Sequence, residues 1–211
     1  MVRTLIGGLL GGLIIFVMGY IFWATPLGDI PFTHASDAQQ AAVQTSLAQN
    51  LAQNGNGTYK IPDPRSRDGA SAYTRGPVAM VDYNNAGFAP DDMGMILPGF
   101  VMAEITGLLM AFALASVGGG GRAFGPVARL VVLYTLAFTA WEFLATPIFN
   151  HFGWRFWIYS FVVENIALIL AGLVIARWFL PHYRPAAAEP AAAYEAPATE
   201  APATEAPATE A

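Results

Sequence analysis

LIGGLLGGLIIFVMGYIFW, residues 5–23, runs for nineteen residues without a charge. At about 1.5 Å per helical residue it approaches the roughly 30 Å hydrocarbon core of a bilayer. Arg3 precedes it. A basic residue before an apolar run also fits the first two parts of a secretory signal peptide. The run is long for that, however, and Ala24-Thr25-Pro26 follows in place of a small-residue cleavage site. A retained membrane helix is expected.

Three further apolar runs occupy 97–117, 129–149 and 157–178. The glycines at 118–121 with Arg122 predict a flexible turn, and 150–156 a tight one. Such short links make neighbouring helices antiparallel. Pro98 suits a first helical turn, where a missing N–H costs little. The expected fold is an all-α membrane protein: a four-helix transmembrane bundle with a small α+β extracytoplasmic insertion and a disordered C-terminal tail. The segments are 1–23 (first span), 24–96 (insertion), 97–180 (three spans) and 181–211 (tail).

Composition agrees. Hydrophobic residues make up 55% and charged residues 12%, against about 25% charged in a soluble domain. The net charge of −5 and the lack of a basic cluster argue against a nucleic-acid partner. The absence of cysteine excludes disulfides, thiol redox chemistry, covalent c-type haem and cysteine-ligated iron–sulfur clusters.

Orientation is read from Lys and Arg beside the spans. With the N-terminus inside, Arg3, Arg122, Arg129, Arg177 and Arg184 are cytoplasmic, and Arg155 is the basic residue next to a span on the outer side. Both termini are therefore expected in the cytoplasm. Tyr20, Trp23, Trp154 and Trp157 fit the outer interface, and Trp178 and Tyr183 the inner one.

In the insertion, Ser36 and Gln39 have capping-box spacing, and Val43, Leu47 and Leu51 recur every four residues. A helix over 37–53 is predicted, closed by Asn54-Gly55 as a left-handed cap. Strands are predicted at 58–61 and 78–83, separated by Pro62-Asp63-Pro64 and Gly76-Pro77. With little to bury, the segment is expected to lean on the bundle or a partner. In the tail, Ala-Pro-Ala-Thr-Glu occurs at 196–200, 201–205 and 206–210. A proline every five residues breaks helix, so a solvated acidic tether is expected, with a docking tail as the alternative.

Each of the last three spans holds one glutamate: Glu104, Glu142 and Glu164. Each lies seven residues from the outer end of its predicted span, about 10 Å deep on an ideal helix. Their faces carry small and hydroxyl residues: Gly107 and Ala111, then Thr135 and Thr139, then Ser160, Ala171 and Gly172, with Asn165 adjoining Glu164. Such residues belong at helix contacts, so the acids are expected to face one another as a polar cluster of Glu104, Glu142, Glu164, Asn165, Thr139 and Ser160. Three unpaired carboxylates at one depth are costly, so the cluster needs a proton or a cation. The bland reading is neutral acids bonded to Thr139, Ser160, Asn165 or backbone carbonyls. The sharper ones are a proton or cation pathway, an oxygen-ligand metal site, and contact with a partner membrane protein; which metal is unknown.

His34, His151 and His182 lie outside the spans, leaving no axial haem ligand in the bundle. No phosphate-binding loop or nucleophile motif occurs, so no cofactor is expected and a non-enzymatic role is favoured. Gly7 and Gly11, and Gly8 and Gly12, form overlapping G-x-x-x-G pairs for close helix packing, within the chain, with a second copy or with another protein.

Three elements resemble those of a set of small bacterial inner-membrane proteins: the glycine-rich first span ending in Trp23, the loop element Gly57-Thr58-Tyr59-Lys60-Ile61-Pro62, and the aromatic turn FNHFGWRFW at 149–157. The resemblance covers most of 1–180. It implies architecture and location and attaches no activity. The expected function is therefore an accessory or scaffolding component of a membrane or envelope complex, with lipid bilayer and another membrane protein or itself as partners. The alternative is a small proton or cation transporter using the intramembrane glutamates. An enzyme acting on lipid or quinone ranks last.

Overall fold

A computed structural model describes residues 1–89, 92–118 and 123–180. The predicted glycine turn, from 119 on, and the repeat tail lie outside the described residues, as do Arg122, His182, Tyr183 and Arg184.

Four helices are long and apolar enough to cross a membrane, as Val2–Trp23, Met93–Val117, Phe124–Asn150 and Trp154–Phe179. They are compatible with a multi-pass integral membrane protein. The first is α1 (Val2–Trp23). The insertion follows with α2 (Asp37–Leu51), β1 (Gly57–Ile61), α3 (Gly69–Arg75) and β2 (Ala79–Tyr83). The second span is α4 (Ile96–Gly118). The third is α5 (Phe124–Thr139), a π-helical turn at Ala140–Leu144, and α6 (Ala145–Asn150). The fourth is α7 (Trp154–Val174) with a π-helical turn at Ile175–Phe179.

The third span begins five residues before its predicted start. Arg129 had marked the boundary, but it lies inside α5 with its side chain exposed, where a long cationic stem can reach an interface.

The π-turn at 140–144 has a cause in the sequence. Pro147 has no N–H, and its ring crowds the carbonyl four residues back. Widening the preceding turn is one way for a helix to absorb this. Thr146 adds support by donating its hydroxyl to the Glu142 carbonyl at 2.9 Å.

α1 lies between α4 and α7, and α7 lies between α1 and α5. The helices thus follow each other in space as α4, α1, α7, α5. The two ends of this row join one core through the last turn of the fourth span, in the half near Met1 and Leu180. There Ala111 and Leu114 of α4, Val127 and Val131 of α5, and Ile175, Ala176 and Leu180 form one buried core. Gly172 admits Val131 and Met110 from opposite sides. Arg3 ties the first span to the last by donating to the Trp178 carbonyl at 2.9 Å, a favourable place for a cation at a helix C-terminus.

At the other end the insertion packs around the mouth of α1 and α7. The Tyr159 hydroxyl lies 2.7 Å from the Phe22 carbonyl and 3.0 Å from that of Leu27. Trp23 and Phe32 both contact the Phe156 ring. β1 and β2 pair antiparallel, Tyr59 opposite Val81. Residues of this hairpin and Tyr73 share a small crevice with Asn150 and Phe152. The Asp63 carboxylate accepts from the Arg65 amide at 3.0 Å, an Asx turn. That bond, aided by the Arg65 guanidinium at 3.3 Å, holds the acid below its usual range.

α2 opens with a complete capping box between Ser36 and Gln39, and Gly55 takes a positive φ of 81° after it. None of its residues is buried, and Val43 of the predicted stripe stays exposed. The short α3 was not expected from the sequence, because the prolines on either side of it read as loop.

Candidate functional site

The glycine face of α1 is where the backbone sequence matters most. Gly8 and Gly12 abut α4: a Cβ on Gly8 would lie 2.8 Å from the Leu108 Cα, and one on Gly12 2.6 Å from the Glu104 Cα. Gly107 answers from α4, with the backbone of Gly8 and Gly12 in the space its Cβ would need. Gly7 and Gly11 abut the last turn instead, against Phe179 and Ile175. The two G-x-x-x-G pairs thus serve two different neighbours within the chain.

Toward the insertion α1 and α4 separate. Phe16 and Phe100 meet edge to face at 5.4 Å. Beside them an open-sided groove of about 480 Å³ is lined by apolar residues including Ile15, Met95 and Met102, with Tyr20 and Trp23 among its walls.

The polar residues do not form one cluster. Asn165 and Thr139 do meet: the Asn165 amide donates to the Thr139 hydroxyl at 2.7 Å and to the Phe161 carbonyl at 2.6 Å. Thr139 passes its own proton to the Thr135 carbonyl at 2.7 Å. Both side chains are buried, and Asn165 Oδ1 has no partner. Ser160 is buried too, but spends its hydroxyl on Phe156 of its own helix at 3.0 Å.

The three carboxyls have separate surroundings. Glu104 is half-buried, and its Oε2, buried without a hydrogen-bond partner, lies 2.8 Å from where a Gly12 Cβ would be. Glu164 is half-buried on α7. Glu142 is exposed. Among the described residues none of the three bonds to Thr139, Ser160, Asn165 or a backbone carbonyl, as the bland reading had expected. Nor does any group of three His, Asp or Glu side chains there have a geometry that could hold a metal.

The reason Glu142 parts from Thr139 is the π-turn. On an ideal α-helix the two share a face. A turn with i→i+5 bonding holds more residues, so Glu142 is carried round toward the outside. The buried positions of this span fall instead at Val127, Val131, Thr139 and Pro147. Pro147 was the signal in the sequence, lying inside a predicted span that was treated as regular.

Around Glu142 the outward face is aromatic. Tyr134 and Phe138 pack at 5.3 Å, and Trp141 and Phe149 at 6.3 Å. Phe138 is 66% and Trp141 70% exposed.

Comparison with protein-family models, curated proteins and solved structures finds no match to this chain.

Proposed function

We propose that this chain is a non-catalytic component of a bacterial inner membrane, with both termini cytoplasmic and the insertion outside, that supports a larger membrane assembly. The observation that carries this is Glu142. It stands on the exposed face of a membrane-spanning helix without a partner among the described residues. A charged residue facing lipid costs about 2.5–3.5 kcal/mol at the centre of a membrane helix on insertion scales, and less toward the interface. Glu142 still lies within the apolar span. Covering that face with a protein that brings a hydrogen-bond donor or a cation to the carboxylate offsets the cost. The aromatic stripe beside it offers the packing surface, and the helix α2, with nothing buried, offers a second contact outside the membrane. Mild detergent extraction of native membranes followed by native gel electrophoresis tests the proposal. A species larger than the detergent-bound monomer is expected; a clean monomer overturns it.

A second reading, proton or cation conduction, draws on two oxygens buried without partners, Glu104 Oε2 and Asn165 Oδ1. Flux into liposomes holding wild type or the E104Q, E142Q and E164Q variants tests it. Wild-type flux equal to that of empty liposomes rejects conduction.

A further inference from the structure

Glu142 and its surroundings also constrain what the partner must be. We infer that the α5–α6 face around Glu142 docks a transmembrane helix of another protein carrying a lysine or arginine at the depth of Glu142; this rests on the accessory reading above.

Depth comes first. Glu142 lies eight residues before Asn150, the end of a 27-residue span. At about 1.5 Å per residue it is about 12 Å from that end of a helix about 40 Å long. With a hydrocarbon core of about 30 Å centred on that helix, it falls roughly 7 Å inside the core.

Charge comes second. The carboxyl has no hydrogen bond or ion pair within the described residues. The basic residues nearest along the chain are Arg129, about 20 Å away toward the other end of the same helix, and Arg155, beyond the turn at 151–153. A second copy inserted in the same direction brings Glu142 level with Glu142. It puts acid against acid and supplies no cation at that level. A different helix with one basic side chain supplies what is missing.

Shape comes third. Tyr134, Phe138, Trp141 and Phe149 recur at helical spacing along the exposed side of the span, a stripe long enough for a helix to lie along. An uncharged acid facing lipid uses none of these three features together.

The test uses the full chain in phosphatidylcholine liposomes and synthetic single-span helices of leucine and alanine as probes. One position, matched to the depth of Glu142, is Lys, Leu or Glu, and association is read by energy transfer between fluorescent labels. The Lys probe is expected to bind wild type roughly tenfold more tightly than the Leu probe. E142Q should abolish that preference, and E142K should transfer it to the Glu probe. Thermal melting of each variant in detergent checks that it is folded, which an exposed position permits. Equal binding of Lys and Leu probes to wild type, or a Lys preference that survives E142Q, overturns the inference. So does energy transfer between two labelled copies of this chain that E142Q removes, since that assigns the face to a second copy. The accessory reading fails separately. If native membranes yield a large complex whose size E142Q leaves unchanged, only the choice of this face is wrong. If they yield a monomer, the assembly reading itself is wrong.

Discussion

Glu104 and Glu142 lie at the same nominal depth and end in opposite surroundings. Glu104 sits on α4 where α1 presses against it, its carboxyl half-buried beside Gly12. Glu142 looks outward from a stripe of exposed aromatics. The first belongs to a seam the chain completes by itself, with glycines on both sides allowing backbone contact. The second belongs to a face that the other described residues leave exposed. In a membrane there is no water to drive helices together, so close backbone packing and polar partners decide which faces meet. By that measure the α1–α4 seam is finished and the α5–α6 face is not.

The comparison can be broken most sharply at Gly107. Its Cβ would need the space held by the backbone of Gly8 and Gly12, and backbone cannot swing aside as a side chain does. Gly107→Leu should destabilise by about 3 kcal/mol or more, read as unfolding in a graded detergent titration. Gly125 is the control: nothing lies within 4 Å of its Cβ position, so Gly125→Ala should leave the transition in place or raise it slightly. Equal effects at the two glycines would show that the seam is not closely packed.

A smaller effect is expected between α5 and α7. Thr139→Val keeps the shape and removes the hydroxyl that receives the Asn165 amide. Hydrogen bonds between membrane helices measure about 0.6 kcal/mol on average and up to about 1.7. The loss should fall in that range in the same titration. No change at all would mean that Asn165 is satisfied by Phe161 alone.

The smallest effect is expected at Glu142. Nothing in the described chain touches its carboxyl, so Glu142→Gln should shift the unfolding of the isolated protein by less than about 0.5 kcal/mol. A large destabilisation would place the acid inside the chain's own packing and erase the contrast with Glu104.

The four apolar helices, the capping box at Ser36 and the two short strands expected at 58–61 and 78–83 were readable because each rests on local chemistry, whereas the pairing of the strands was not. A long uncharged run makes an apolar helix of membrane-spanning length, a serine three residues before a glutamine caps, and prolines and glycines bracket short strands. Which way each acid faces was not readable. That depends on where the helix departs from 3.6 residues per turn, and Pro147 changes it for Glu142 and not for Glu104. The order α4, α1, α7, α5 was also hidden, because it depends on which neighbour each glycine meets. The sequence contained Gly8 and Gly12 as one pair and Gly7 and Gly11 as another, but not that one would meet α4 and the other the final turn.

That division of the α1 glycines sets a timetable for synthesis. Gly8 and Gly12 can close on Gly107 and Leu108 once α4 has entered the membrane. Gly7, Gly11 and Arg3 must wait for Ile175, Phe179 and Trp178, some 60 residues after α4 ends at Gly118. At 5–20 residues per second that delay is roughly 3–12 s. For those seconds the α1–α4 pair has one glycine face finished and the other still waiting for the last turn.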